Sequence, residues 1–141
     1  MVMITLKDYL TASNSYPDRE KHAELTDEFK ANASTLLEKV SGLLKELNID
    51  KITISSGFRP TSVNSNIANS AKKSLHTRCM AIDIVDDKKQ SLANKILTRP
   101  DLLIKYGLWL EDPAATKGKN SNWVHLDMGT RSARPLRMFK V

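Results

Sequence analysis

Ser74-Leu75-His76-Thr77-Arg78-Cys79-Met80-Ala81-Ile82-Asp83-Ile84-Val85 runs out of a polar loop into an apolar segment broken by one carboxylate. Met80–Val85 reads as a β-strand, short and bounded by polar residues. Asp83 is its anomaly. An ionised carboxylate in an apolar strand is too expensive to leave uncompensated, so a metal ion or a salt bridge must answer it. His76 ends the polar loop seven residues earlier, close enough in the chain to share that task.

Outward toward the C-terminus, Gly107–Leu110 and Trp123–Met128 read as two further strands, joined by Asp112–Ser121, a loop rich in Gly, Lys, Asn and Pro. Alternation along the last strand sends His125 to the same face as Trp123 and Asp127. Asp86-Asp87 is suited to cap a helix over Lys88–Leu97, in which Leu92, Ile96 and Leu97 share a face. Outward the other way, Lys51–Ser56 alternates as a strand until Gly57-Phe58-Arg59-Pro60 breaks it; a short helix is expected over Ser62–Asn69 and a polar loop over Asn69–Ser74. Leu25, Phe29, Ala33, Leu36, Val40, Leu43 and Leu47 recur at intervals of three and four, which predicts an amphipathic helix from about residue 20 to 47. Residues 1–20 read as irregular, with a turn at Tyr16-Pro17-Asp18. The expected fold is α+β: helices packed on a small antiparallel sheet, one domain over residues 1–141.

At 141 residues the chain buries a sizeable core without staples, and its single cysteine, Cys79, allows no internal disulfide. The first residues have neither a cationic flank nor a long apolar core, so no signal peptide is read there, and a chain made in the cytoplasm is expected. No apolar run approaches the roughly 18 residues of a membrane span. The 22 lysines and arginines against 16 acids give a net charge of +6, which favours an anionic partner: nucleic acid, an acidic membrane face or a bacterial wall polymer. Arg131, Arg134, Arg137 and Lys140 recur every three residues, either as a grip for phosphates or as a solvated tail.

Of the three histidines, His22 sits among charges and reads as a solvated side chain. His76, Asp83 and His125 form two imidazoles and a carboxylate, a set that suits zinc with an open fourth position. The rival reading is a core histidine with a backbone partner and an aspartate paired to an arginine. His-Glu-x-x-His is absent, which excludes thermolysin-like action; His-x-Glu and Cys-x-x-Cys are absent too, which excludes the zinc nucleobase deaminases.

Ser74-x-His76, four residues, Ala81-x-Asp83, then Trp123-x-His125, with Ser56-Gly57-Phe58-Arg59 upstream, resembles the M15 metallopeptidases, which include D-Ala-D-Ala carboxypeptidases, dipeptidases and phage L-alanyl-D-glutamate endopeptidases. Tyr106–Pro113 is similar to small phage-encoded members, and coverage runs from about residue 50 to 128. The resemblance implies zinc on His76, Asp83 and His125, and peptidoglycan stem peptides as substrate. It implies that Arg59 reaches a substrate carboxylate or developing oxyanion, that Ser74 positions the ligand loop or binds substrate, and that Trp123 lines the substrate site. The role implied is a phage endolysin or virion wall-opening part, with anionic wall polymers as a second partner and nucleic acid not expected. A non-catalytic zinc module that binds peptidoglycan, or a phage structural module, is the alternative. Two positions depart from the pattern. Relatives carry an acid or histidine three residues before the last ligand as general base, where this chain has Asn122. The task then falls to Glu111 first, with Asp112 and Asp127 as alternatives. Relatives often have glycine where Cys79 stands; a small buried thiol is the favoured reading, and approach of the thiol to the metal, from its parity with Asp83, is the rival.

Overall fold

The computed structural model describes residues 4–11, 23–60, 74–132 and 137–140. Among them five strands form one sheet: β1 (Ile54–Ser56), β2 (Ala81–Asp86), β3 (Trp109–Glu111), β4 (Asn122–Asp127) and β5 (Met138–Phe139), in the order β1-β2-β4-β3-β5. The helices are α1 (Leu6–Leu10), α2 (Asp27–Glu46), α3 (Ser91–Leu97) and α4 (Pro100–Tyr106), with a 3₁₀ turn at Leu75–Arg78. The α+β class is as expected. Four strands are antiparallel neighbours, and β5 adds to β3 in parallel, which the basic tail had not suggested.

The central pair β2 and β4 is in register from Ala81↔Asp127 to Asp86↔Asn122. Side chains alternate, so this one register creates two unlike faces. Ile82, Ile84, Val124 and Leu126 are fully buried in one core with Leu36, Val40, Leu43 and Leu44 of α2 and Leu102 and Leu103 of α4. Each such side chain contributes about 1.5–3 kcal/mol relative to exposure. That face welds sheet to helices, and the other face is free to carry charge.

Several boundaries move for local reasons. α2 begins at Asp27 rather than near residue 20, because the Thr26 side chain accepts the Phe29 amide and caps the helix there. The strand expected over Lys51–Ser56 narrows to Ile54–Ser56, with a register irregularity between those two residues. Gln90 adopts a left-handed conformation, so α3 starts at Ser91, not Lys88. Asp86 and Asp87 do cap it: Asp87 Oδ1 accepts the Ser91 amide, and the two Asp86 oxygens accept those of Leu92 and Ala93. α1, where irregular chain was expected, is closed by a capping box between Thr5 and Asp8. α4 was unexpected too, although Pro100 in its first turn and left-handed Gly107 at its end are the usual punctuation. The helix expected over 62–69 and the turn at 16–18 lie outside the described residues. No described helix is long and apolar enough to cross a membrane.

Candidate metal centre

Because Asp83 pairs with His125 in the β2–β4 register, the two side chains stand opposite each other on the face turned from the core. His76 comes from the 3₁₀ turn that leads into β2. Ser74 shapes that turn: its hydroxyl accepts the His76 amide, and its carbonyl accepts the Thr77 amide and hydroxyl. The end of β1 then cradles His76. Its Nδ1 donates to the Gly57 carbonyl at 2.8 Å, and the Arg59 amide donates to the His76 carbonyl. Gly57 is required for close approach, since a Cβ there would lie 2.1 Å from the Tyr9 carbonyl oxygen of α1. The Tyr9 hydroxyl in turn donates to the Ala81 carbonyl at 2.7 Å, tying α1 to the first residue of β2.

One potential ligand atom from each of His76, Asp83 and His125 lies within 4.8 Å of the others. Asp83 Oδ1 is 3.2 Å from His76 Nε2 and 2.9 Å from His125 Nδ1. His76 Nε2 is buried and makes no hydrogen bond, an unusual state for a ring nitrogen. With Nδ1 carrying the proton given to Gly57, this Nε2 presents a lone pair to the cluster. Buried donor atoms of N and O type, converging from three elements, fit zinc and its tetrahedral preference.

Electrostatics favour a cation at this point. Burial pushes the His76 pKa down, outweighing its attraction to Asp83, so its ring is kept neutral. Burial also lowers that of His125, but hydrogen bonds to Asp127 and Asp83 outweigh it and raise the value to about 10. Burial raises the Asp83 carboxyl, but the protonated His125 ring, whose Nδ1 lies 2.9 Å from Oδ1, overcomes this and holds it far below the ordinary carboxylate range. In the metal-free protein a proton on His125 thus balances the carboxylates.

Arg59 is buried, with Nη2 3.3 Å from Asp83 Oδ2, so its guanidinium grips the outer oxygen of the carboxylate whose inner oxygen faces the histidines. Both features of the rival sequence reading therefore exist, the histidine with its backbone carbonyl and the aspartate with its arginine. They leave Nε2, Oδ1 and Nδ1 still converging. Trp123 lies on the same strand face as His125, half-buried, with its ring beside Gly118. Glu111 follows Trp109 by two residues, and Trp109 pairs with Asp127, so Glu111 also points to this face. It is half-buried, and burial raises its pKa.

Asn122 belongs to the opposite side. Its amide donates to the Asp87 and Lys88 carbonyls and secures the turn before α3. Asp112 Oδ1 accepts the Ala114 amide in the following turn. Cys79 is fully buried with φ 58°, in the left-handed region that favours glycine, and burial pushes its thiol up to about 12. β2 begins only at Ala81, so strand parity does not extend back to Cys79, and the thiol joins the apolar core. Of the basic tail, Arg131 and Arg137 are tied inward: Arg131 to Asp127 and Arg137 to the Leu108 carbonyl and the Trp109 ring. Lys140 stays exposed, and Arg134 and His22 lie outside the described residues. The Asp127–Arg131 pair beside His125 was missed in the sequence, although Asp127 shares the strand face and Arg131 follows it by four.

A family model described as peptidase M15 matches residues 14–127. No curated protein matches the chain.

Proposed function

The chain belongs to the peptidase M15 family of metallopeptidases, and on that premise we propose that it is a zinc-dependent hydrolase of peptidoglycan stem peptides, as a D,D-carboxypeptidase or L,D-endopeptidase in a phage endolysin or virion wall-opening part. The observation that carries this reading is the convergence of His76 Nε2, Asp83 Oδ1 and His125 Nδ1. These three atoms would hold the ion. Zinc bound there supplies a Lewis acid that polarises a peptide carbonyl and brings the pKa of water toward ~7.

The chain's own residues divide the remaining work. Gly57 fixes the His76 tautomer, and Arg59 directs the Asp83 carboxylate by holding its outer oxygen. Arg59 is also assigned the substrate carboxylate or the developing oxyanion. Ser74 orders the ligand turn, and Trp123 offers an aromatic wall next to His125. Glu111 is the favoured general base, because it is a half-buried carboxylate on this face and burial raises its pKa, the direction that favours proton exchange. It takes a proton from the attacking water and returns it to the leaving amine nitrogen. Asp127 is fully engaged with His125, Arg131 and Gly129, and Asp112 with its own turn.

One other reading, motivated by the sequence position of Asn122 alone since its side chain secures the turn before α3, is a non-catalytic module that holds zinc and binds stem peptides. Both are decided by one experiment: protein purified without a metal-binding tag is analysed for zinc, then incubated with peptidoglycan fragments whose product masses are read. Close to one zinc per chain and cleaved stem peptides are expected. Zinc-loaded, folded protein that binds fragments without cutting any would establish the module instead.

A further inference from the structure

His125 is held by more than the sheet. Its Nε2 lies 2.8 Å from Asp127 Oδ2, two residues along the same face of β4. Asp127 is itself immobilised, its side chain 1% exposed. Its Oδ1 accepts the Gly129 amide at 3.0 Å and Arg131 Nη1 at 2.6 Å, and its Oδ2 accepts Arg131 Nη2 at 3.1 Å. The Arg131 guanidinium lies 3.6 Å from the centre of the Phe139 ring on β5, with the Trp109 ring beyond at 5.5 Å. Phe139 also meets the His125 ring edge-on at 5.7 Å. The imidazole is thus fixed in its plane by one strand neighbour and across its face by a strand from the sheet edge.

We propose that Asp127, locked by the Arg131 fork, is the positioning residue of the metal site: it fixes the proton of His125 on Nε2 and presents Nδ1 to the ion. The argument rests on His125 being a zinc ligand. Given that, the two ring nitrogens have distinct neighbours, and only Nδ1 faces Asp83 and the His76 side of the cluster. A carboxylate on the far nitrogen orients the ring and makes the ligating nitrogen more basic. The bidentate grip of Arg131 keeps that carboxylate from swinging away to join the ligands, which preserves an open position for water. His76 is oriented by a neutral carbonyl and His125 by a full carboxylate, so the two histidines differ in basicity by construction.

The test is zinc affinity, measured by competition with a chromophoric chelator, in the parent, Asp127→Ala and Asp127→Asn proteins, together with imidazole nitrogen-15 shifts of the zinc-loaded parent. Asp127→Ala should weaken zinc binding ~10–100-fold, the usual effect of losing such a partner. Asp127→Asn, whose amide oxygen can still accept the Nε2 proton, should recover part of that loss. The parent spectrum should show His125 protonated on Nε2 and coordinated through Nδ1, a readout that needs no variant to fold. Parent-like affinity in Asp127→Ala, or coordination of His125 through Nε2, overturns the inference while leaving the metal site intact. A folded parent that takes up no zinc overturns both.

Discussion

β2 and β4 place two chemistries a side chain's width apart. On the face toward the helices, Ile82, Ile84, Val124 and Leu126 are sealed among apolar neighbours. On the other, Asp83, His125 and Asp127 are nearly as dry, yet each is answered by an opposite charge or an aimed donor. One face stabilises by area and tolerates no polarity. The other is a balanced charge set whose worth lies in its directions, because a buried charge pair contributes little net stability compared with apolar packing. Fold and candidate site are therefore written on alternate residues of the same six-residue strands, and changes on the two faces should be separable.

The largest expected effect is on the apolar face. Leu126→Ala should cost about 2–5 kcal/mol through lost burial and an unfilled cavity, while hydrolysis per folded molecule stays near that of the parent. Denaturant midpoints and activity normalised to the folded fraction measure the two sides. A variant that kept its stability but lost its rate would erase the distinction between the faces.

On the polar face, Glu111→Gln should leave the midpoint and zinc content close to the parent values and lower the hydrolytic rate ~10²-fold or more, the scale of lost proton transfer. Full activity in that variant would send the search back to Asp112 or Asp127, against the hydrogen bonds that engage them.

A further effect concerns pH in metal-free protein. The His125 pKa is raised from 6.5 to about 10 in the fold, so its contribution to stability is complete below about pH 6.5 and is lost as pH rises through about 10. Asp83 and Asp127 are shifted the other way, so theirs is present above the ordinary aspartate value near 3.8 and lost on acidification. Thermal melts across pH 5–10 should fall toward the alkaline end without zinc. They should fall less with zinc, since Nδ1 then holds the ion in place of a proton. Identical slopes with and without metal would show that His125 does not exchange one for the other.

What could be read from the sequence follows the range of the forces involved. α2 announced itself because Ala33, Leu36, Val40 and Leu43 repeat a helical period, and β2 because Asp83 was out of place in an apolar run. His76, Asp83 and His125 were legible through spacing and resemblance. β5 was not, because Met138 and Phe139 form a strand only by leaning on β3. The engagement of Arg59 with Asp83, and of Arg131 with Phe139, was equally hidden, since the chain does not state which cation meets which partner. α1 and α4 were different: Thr5 with Asp8, and Pro100 with Gly107, were readable signals at the ends of helices too short to show a period.

The antiparallel register that sets Asp83 against His125 also carries a consequence in time. These residues are 42 apart in the chain, and Tyr9, which steadies the start of β2, is 72 from Ala81. Contacts of such span pay their loop-closure entropy before they return anything, so they form late. The complete ligand set cannot exist in a nascent or half-collapsed chain, and an ion offered early finds only isolated imidazoles. Zinc held by these three residues would therefore act on the exit from the native state rather than on the entrance. It should slow the opening of the molecule while leaving the speed of folding almost untouched, a latch fitted after the door is hung.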